Sequence, residues 1–166
     1  MLSVEFKPEI LVPFFNQKVR EACKSCKRYG HKSMCPPYVE SVEYYRNLLP
    51  KYVKGILFLE KFELKNYTQS TWQELGAYSS KVMQEELFKC KQELINRGHF
   101  PLLFGAGSCK NCEKCSIPCK FPDKSLVPIE GTGLDVVALV SYLTQIELIF
   151  PIKEYFYRVG MVLFDD

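Results

Sequence analysis

The run Cys109-Lys-Asn-Cys112-Glu-Lys-Cys115-Ser-Ile-Pro-Cys119 sets four thiols at C-x2-C-x2-C-x3-C spacing, a pattern suited to holding a [4Fe-4S] cluster. Three thiolates at short, equal intervals let one loop wrap a cubane, each sulfur reaching a different iron while backbone N–H groups turn towards the cluster sulfurs. Gly105 and Gly107 lie just ahead and permit the unusual dihedrals such a loop needs. Where two clusters share a chain, the fourth cysteine of such a run ligates the other cluster, so Cys119 has two candidate partners.

A second set is Cys23-Lys-Ser-Cys26 followed by Cys35-Pro36-Pro37, whose prolines fix the chain direction after the third thiol. A C-x2-C pair alone also suits zinc or redox chemistry. Beside the C-terminal run it reads as the ligand set of a second four-iron cluster. Structural zinc is the alternative, using Cys23 and Cys26 with two later cysteines, because zinc takes four sulfur or imidazole ligands. Zinc has no use for a third cysteine at another x2 interval, so iron–sulfur leads in both places. A thioredoxin-like dithiol at Cys23 and Cys26 is disfavoured because no strand leads into it.

Cys90 is the eighth thiol. It shares one helix face with Met83, Leu87 and Leu94, where a free cysteine is an ordinary small core residue. Yet two four-iron clusters ask for eight ligands and the two loops supply seven cysteines. Either Cys90 is the eighth, or another residue is, or one iron stays open. Full cysteine ligation leaves only electron transfer, whereas an open iron binds substrate as a Lewis acid.

Other residues carry weaker signals. His31 lies between Cys26 and Cys35, where a solvated loop histidine is the default, and His99 follows a helix. Gly105-x-Gly107 and Gly131-x-Gly133 lack the third glycine or the Lys-Ser/Thr of a nucleotide loop. Gly131-Thr132-Gly133 reads as a helix opening, with Glu130 and Asp135 as candidate acid or base, N-terminal helix charges being the default. Lys24, Lys27, Arg28, Lys32, Lys110, Lys114, Lys120 and Lys124 are interleaved with the cysteines. They would offset thiolate charge and could dock an acidic redox partner, or be ordinary solvated lysines and arginine.

The elements that must hold these loops follow from apolar periodicity. Leu11, Phe14, Phe15 and Val19 predict a helix over 9–22, followed by a Lys/Gly/Pro-rich loop from 23 to 38. A short helix is expected over 41–49 and a buried strand over 55–59. A long helix from about 70 to 97 has Thr71-x-x-Glu74 as a capping box and Arg97-Gly98 with Pro101 as its stop. A strand over 102–104 leads into the cysteine run, a helix over 133–143 follows it, and a strand over 155–164 closes the chain. This order predicts a single α+β (or α/β) domain over 1–166, a small sheet with packed helices and a cysteine-rich metal-binding corner.

Composition agrees with that scale. The chain has 166 residues, 47% of them hydrophobic, with 12 Phe and 10 Tyr, enough for one core and unlike a disordered chain. Its 22 Lys+Arg against 19 Asp+Glu leave +3, too mild to call for nucleic acid. The excess is better read as local compensation for metal-bound thiolates. Neither a secretory signal pattern nor an apolar run of the ~18 residues a bilayer requires is found. A cytoplasmic setting is therefore expected, where thiols stay reduced and clustered cysteines favour metal over disulfides.

With these residues assembled, the chain resembles the family of predicted metal-binding proteins known as domain of unknown function 2284. The resemblance rests on Cys23-x2-Cys26, Cys35-Pro36-Pro37, the Cys109–Cys119 run and Glu130-Gly131-Thr132-Gly133-Leu134-Asp135-Val136. It implies a protein of prokaryotic, anaerobic character with an iron–sulfur or other metal site, and implies no reaction. The C-terminal run is also similar to bacterial ferredoxins, except that Lys120 replaces the proline that commonly follows the last cysteine and Pro118 precedes it. The reading is a two-cluster iron–sulfur protein passing electrons to a partner enzyme. An enzyme with an open iron and a structural zinc interaction module are the alternatives.

Overall fold

The computed structural model describes residues 1–68 and 71–165. Five strands, β1 (Leu2–Phe6), β2 (Lys54–Glu63), β3 (Leu102–Gly105), β4 (Val127–Pro128) and β5 (Tyr155–Phe164), form one sheet in the order β1-β2-β5-β3-β4. All neighbours are antiparallel except β3 and β4. The centre is the β2–β5 pair, in register from Lys54 opposite Phe164 to Glu63 opposite Tyr155.

Both central strands are apolar on both faces, and period-2 alternation divides their side chains between two cores. Leu57, Leu59, Val159, Met161 and Leu163 face one core, completed by Leu11, Tyr45, Leu134, Leu139 and Val140. Phe58, Val162 and Phe164 face the other, where Met83, Leu87 and Leu94 of helix α3 (Trp72–Asn96) pack. Gly160 lets that helix approach: a Cβ there would sit 2.8 Å from Leu87 Cδ1 and from Met83 Sδ. Helices therefore cover both faces of a mixed sheet in an α+β arrangement. Among the described residues no helix is long and apolar enough to cross a membrane.

The long helix carries its expected capping box. Thr71 Oγ1 accepts from the Glu74 N–H (3.2 Å), and Glu74 Oε2 accepts from the Thr71 N–H (2.9 Å). The expected start near residue 70 lies outside the described residues. Helix α2 (Val42–Leu48), capped by Ser41, and strand β5 match their expected spans, while β2 runs past both ends of the expected 55–59.

Two expected helices differ. Residues 9–22 form a 3-10 segment (Pro8–Phe14) and then helix α1 (Gln17–Ala22), because Pro13 lacks an N–H and Phe15 leaves the helix to bridge Leu134. The Asn16 N–H donates to Gly133 O, and the Asp135 N–H to Phe14 O, each at 2.8 Å. Helix α4 (Val136–Thr144) starts three residues later than expected, with Asp135 as its N-cap. Gly131-Thr132-Gly133 does not open it. These residues belong to a 3-10 turn ending at Gly133 in the left-handed region (φ 90°), packed so closely that a Cβ would lie 2.6 Å from Val42. Strand β1 and the two-residue β4 have no counterpart in the sequence reading.

Candidate metal centre

The loop after α1 is built from consecutive tight turns that bring its three thiols together. Cys26 N–H donates to Cys23 O (2.9 Å), Tyr29 N–H to Cys26 O (3.0 Å) and Cys35 N–H to Lys32 O (3.0 Å). The Gly30 N–H then closes back on Pro36 O at 3.0 Å. Arg20 of α1 locks the base of the loop. Its guanidinium donates to Glu40 O (2.6 Å), Val39 O (3.1 Å) and Gly131 O (2.8 Å), tying the loop to the turn before α4. The sequence reading missed Arg20, since nothing local distinguishes it from a solvated helix arginine.

Cys23, Cys26 and Cys35 line one cavity of about 330 Å³, together with Arg28, Tyr29, Pro36, Ser108 and Glu130. Burial, reinforced by the neighbouring Cys26 and Cys23 sulfurs, pushes the Cys35 thiol up to about 11. Burial and then Glu130 raise Cys23 in the same direction. Glu130, expected as a helix charge, instead belongs to this wall, and burial raises its pKa. The thiols of Cys23 and Cys35 are thus biased towards their protonated form, and metal capture by their thiolates must release protons.

The C-terminal run lies in irregular chain between β3 and β4. Gly107 takes a positive φ of 73° as expected, whereas Gly105 ends β3 without one. Buried Gln84 of α3 pins the start of the loop, donating through Nε2 to Ser108 O (3.3 Å) and accepting from the Lys110 N–H (3.1 Å). Asn111 bonds the Lys124 carbonyl across the loop. Cys109, Cys112, Cys115 and Cys119 are all partly buried. Cys115 reaches the other cysteine loop: Ser33 donates its N–H to Cys115 Sγ (3.4 Å), and its hydroxyl lies 3.5 Å from the same sulfur. These contacts hold the Cys115 thiol below the ordinary cysteine value.

The fold therefore gathers the N-terminal trio at one cavity and joins the two loops through Ser33 and Cys115. Cys109, Cys112 and Cys119 are not part of that cavity wall. Among the described residues no three His, Cys, Asp or Glu side chains stand close enough to share one metal ion. Cys90 packs against the core beneath α3, and burial raises its thiol pKa. His31 is exposed, and His99 faces Asp165 at 3.8 Å and the Phe164 ring.

No curated protein and no solved structure matches the chain. The model of the predicted metal-binding protein family DUF2284 matches residues 10–164, spanning both cysteine loops and the turn that joins them. The chain belongs to that family of predicted metal-binding proteins.

Proposed function

We propose that the protein binds two [4Fe-4S] clusters and passes electrons between them and a partner protein. Cys23, Cys26 and Cys35 hold one cluster, Cys109, Cys112 and Cys115 the other, and Cys119 completes one of the two sets. The observation that carries this reading is the trio itself, three thiols distributed around a void of about 330 Å³. A tetrahedral zinc at ~2.3 Å from each sulfur would ask them to converge on a point. Thiols spread around a void suit a cluster, whose corners take one sulfur each. When bound, the clusters supply reversible one-electron chemistry. The chain supplies the turns that orient the thiols, the Arg20 clamp and the Ser33–Cys115 tether between the loops. Lys24, Lys27, Lys114, Lys120 and Lys124 are exposed around them, as docking of an acidic redox partner requires.

A second reading is favoured by the carboxylic acid in that wall. Glu130 stands with three thiols, so the trio's cluster would have one iron without a cysteine from this cavity, open to a small substrate. Anaerobic iron, sulfide and zinc assays test the first reading: about eight iron and eight sulfide per chain are expected. Stoichiometric zinc with no sulfide would overturn it. Spectra of the reduced cluster that change on adding small ligands would select the second reading over the carrier.

A further inference from the structure

Next to the cysteine cavity is a second basin, of about 430 Å³, whose walls bring together Arg28, Lys110 and Arg158 with Ser108, Gly107 and Trp72. These cations come from three separate places: the first cysteine loop, the start of the second, and the middle of β5. Among the described residues none of the three forms an ion pair. Arg158 spends two donors on Ser79 Oγ (2.8 Å) and Gly76 O (3.2 Å), which fix the guanidinium against α3. Placing three positive charges around one partly enclosed space is costly unless an anion shares it.

Ser108 supplies an independent sign. Its residue is 4% exposed, and its hydroxyl is buried without a hydrogen-bond partner. A buried, unpartnered hydroxyl costs about 1–3 kcal/mol. Ser108 lines both the cationic basin and the cysteine cavity. A third hollow, of about 280 Å³, opens from the same place and shares Trp72, Gly76, Gly107 and Arg158 with the basin. Apart from Glu130 and Arg158 its walls are aromatic and aliphatic, including Phe150, Tyr155 and Phe156, with the Arg158 guanidinium 5.2 Å from the centre of the Phe156 ring.

We propose that Arg28, Lys110, Arg158 and the Ser108 hydroxyl form a binding site for the carboxylate or phosphate of a small organic anion. Its apolar body lies along Trp72 and Phe156. Charge compensation of the clusters would account for Arg28 and Lys110, which adjoin cysteines. It does not account for the unpartnered hydroxyl; Arg158, held by the sheet and α3, has the buried Glu130 carboxyl as a partial counter-charge but forms no ion pair with it. Gly107 borders all three hollows, and its positive φ disfavours any side chain at their junction. The anion site is made by the protein alone. Its position beside the trio gives the open-iron reading a substrate class.

Trp72 is the one tryptophan of the chain and lines both the basin and the apolar hollow, so its fluorescence reports occupancy directly. Benzoate, phenyl phosphate, inorganic phosphate and neutral benzyl alcohol are titrated into the full chain, with calorimetry alongside for the iron-loaded sample. Saturable binding of benzoate or phenyl phosphate is expected, about tenfold tighter than inorganic phosphate or benzyl alcohol. The tighter of the two aromatic anions identifies the headgroup. Arg28→Gln with Lys110→Gln should weaken binding about tenfold or more, and Ser108→Ala about threefold. Absence of saturable binding overturns the proposal, as do benzyl alcohol binding as well as the anions and Ser108→Ala binding like the wild type. Iron and sulfide are measured in the same samples. Full iron without anion binding removes this site and leaves the cluster reading standing; anion binding without sulfide does the reverse.

Discussion

The two cysteine loops make opposite use of similar sequence. The N-terminal trio has the weaker motif and the more developed cavity, with the Cys23 and Cys35 thiols raised by burial and a base clamped by three bonds from Arg20. The C-terminal run has the stronger motif but sits in irregular chain, anchored at its start by Gln84 and held to the other loop at Cys115. Motif strength reports what a loop can ligate. Cavity and protonation report how far the surrounding fold has already prepared it. The trio is preorganised by tertiary contacts, while on the two-cluster reading the run would rely on local spacing and leave more of its ordering to metal.

The largest effect expected from this contrast is on metal content. Cys35→Ser should remove about half of the iron and sulfide, and Cys109→Ser the other half, by anaerobic assay. Loss of all iron from either variant would show that the loops share one cluster and would erase the distinction. Next comes thiol reactivity in metal-free protein. With its pKa near 11, against about 9 for an ordinary thiol, Cys35 carries about 100-fold less thiolate at neutral pH. Its alkylation rate, followed by mass spectrometry, should keep climbing about tenfold per pH unit beyond pH 9. Cys115 should be labelled earliest of the two.

The same shift has a consequence for stability. The raised Cys35 pKa favours the folded, metal-free protein fully below about pH 9, and that contribution fades as pH rises through about 11, because the unfolded chain then loses its proton first. Chemical denaturation across this window should show stability falling by on the order of 2 kcal/mol. A smaller effect is expected from Ser33→Ala. Losing the hydroxyl contact should raise the Cys115 thiol and slow its alkylation several-fold at pH 7.5, while Cys35 is unchanged. Smallest is Cys90→Ala, which should keep all iron and lower stability by about 1 kcal/mol, as a partly buried core thiol would. Iron loss in that variant would return Cys90 to the ligand set.

Much of the scaffold was legible from local chemistry. The Thr71–Glu74 capping box and the Ser41-capped helix rest on contacts within a few residues, and the 155–164 strand shows as an apolar and aromatic run, so sequence pattern found them. The break at Phe15 and the turn at Gly131–Gly133 depend on each other across more than a hundred residues of chain, and no local propensity announces that pairing. The same holds for β1, whose edge position is set by β2, and for β4, only two residues long. Glu130 was read as a helix charge because its neighbours look like a helix start. Its actual surroundings come from Gly107, Cys23 and the β5 region.

By itself, the amino-acid sequence determined the donor chemistry: eight thiols, their spacing, and the metal-binding character that the family match supports. Ligand type and reach along one loop are covalent properties, readable without a fold. Tertiary structure alone decided which thiols share a wall, and that Arg20, Glu130, Ser108 and Arg158 surround the cysteine cavity and its neighbours. Burial and distance between remote segments are properties of packing. They set protonation and exclude water only once β5, α3 and the two loops have closed on one another.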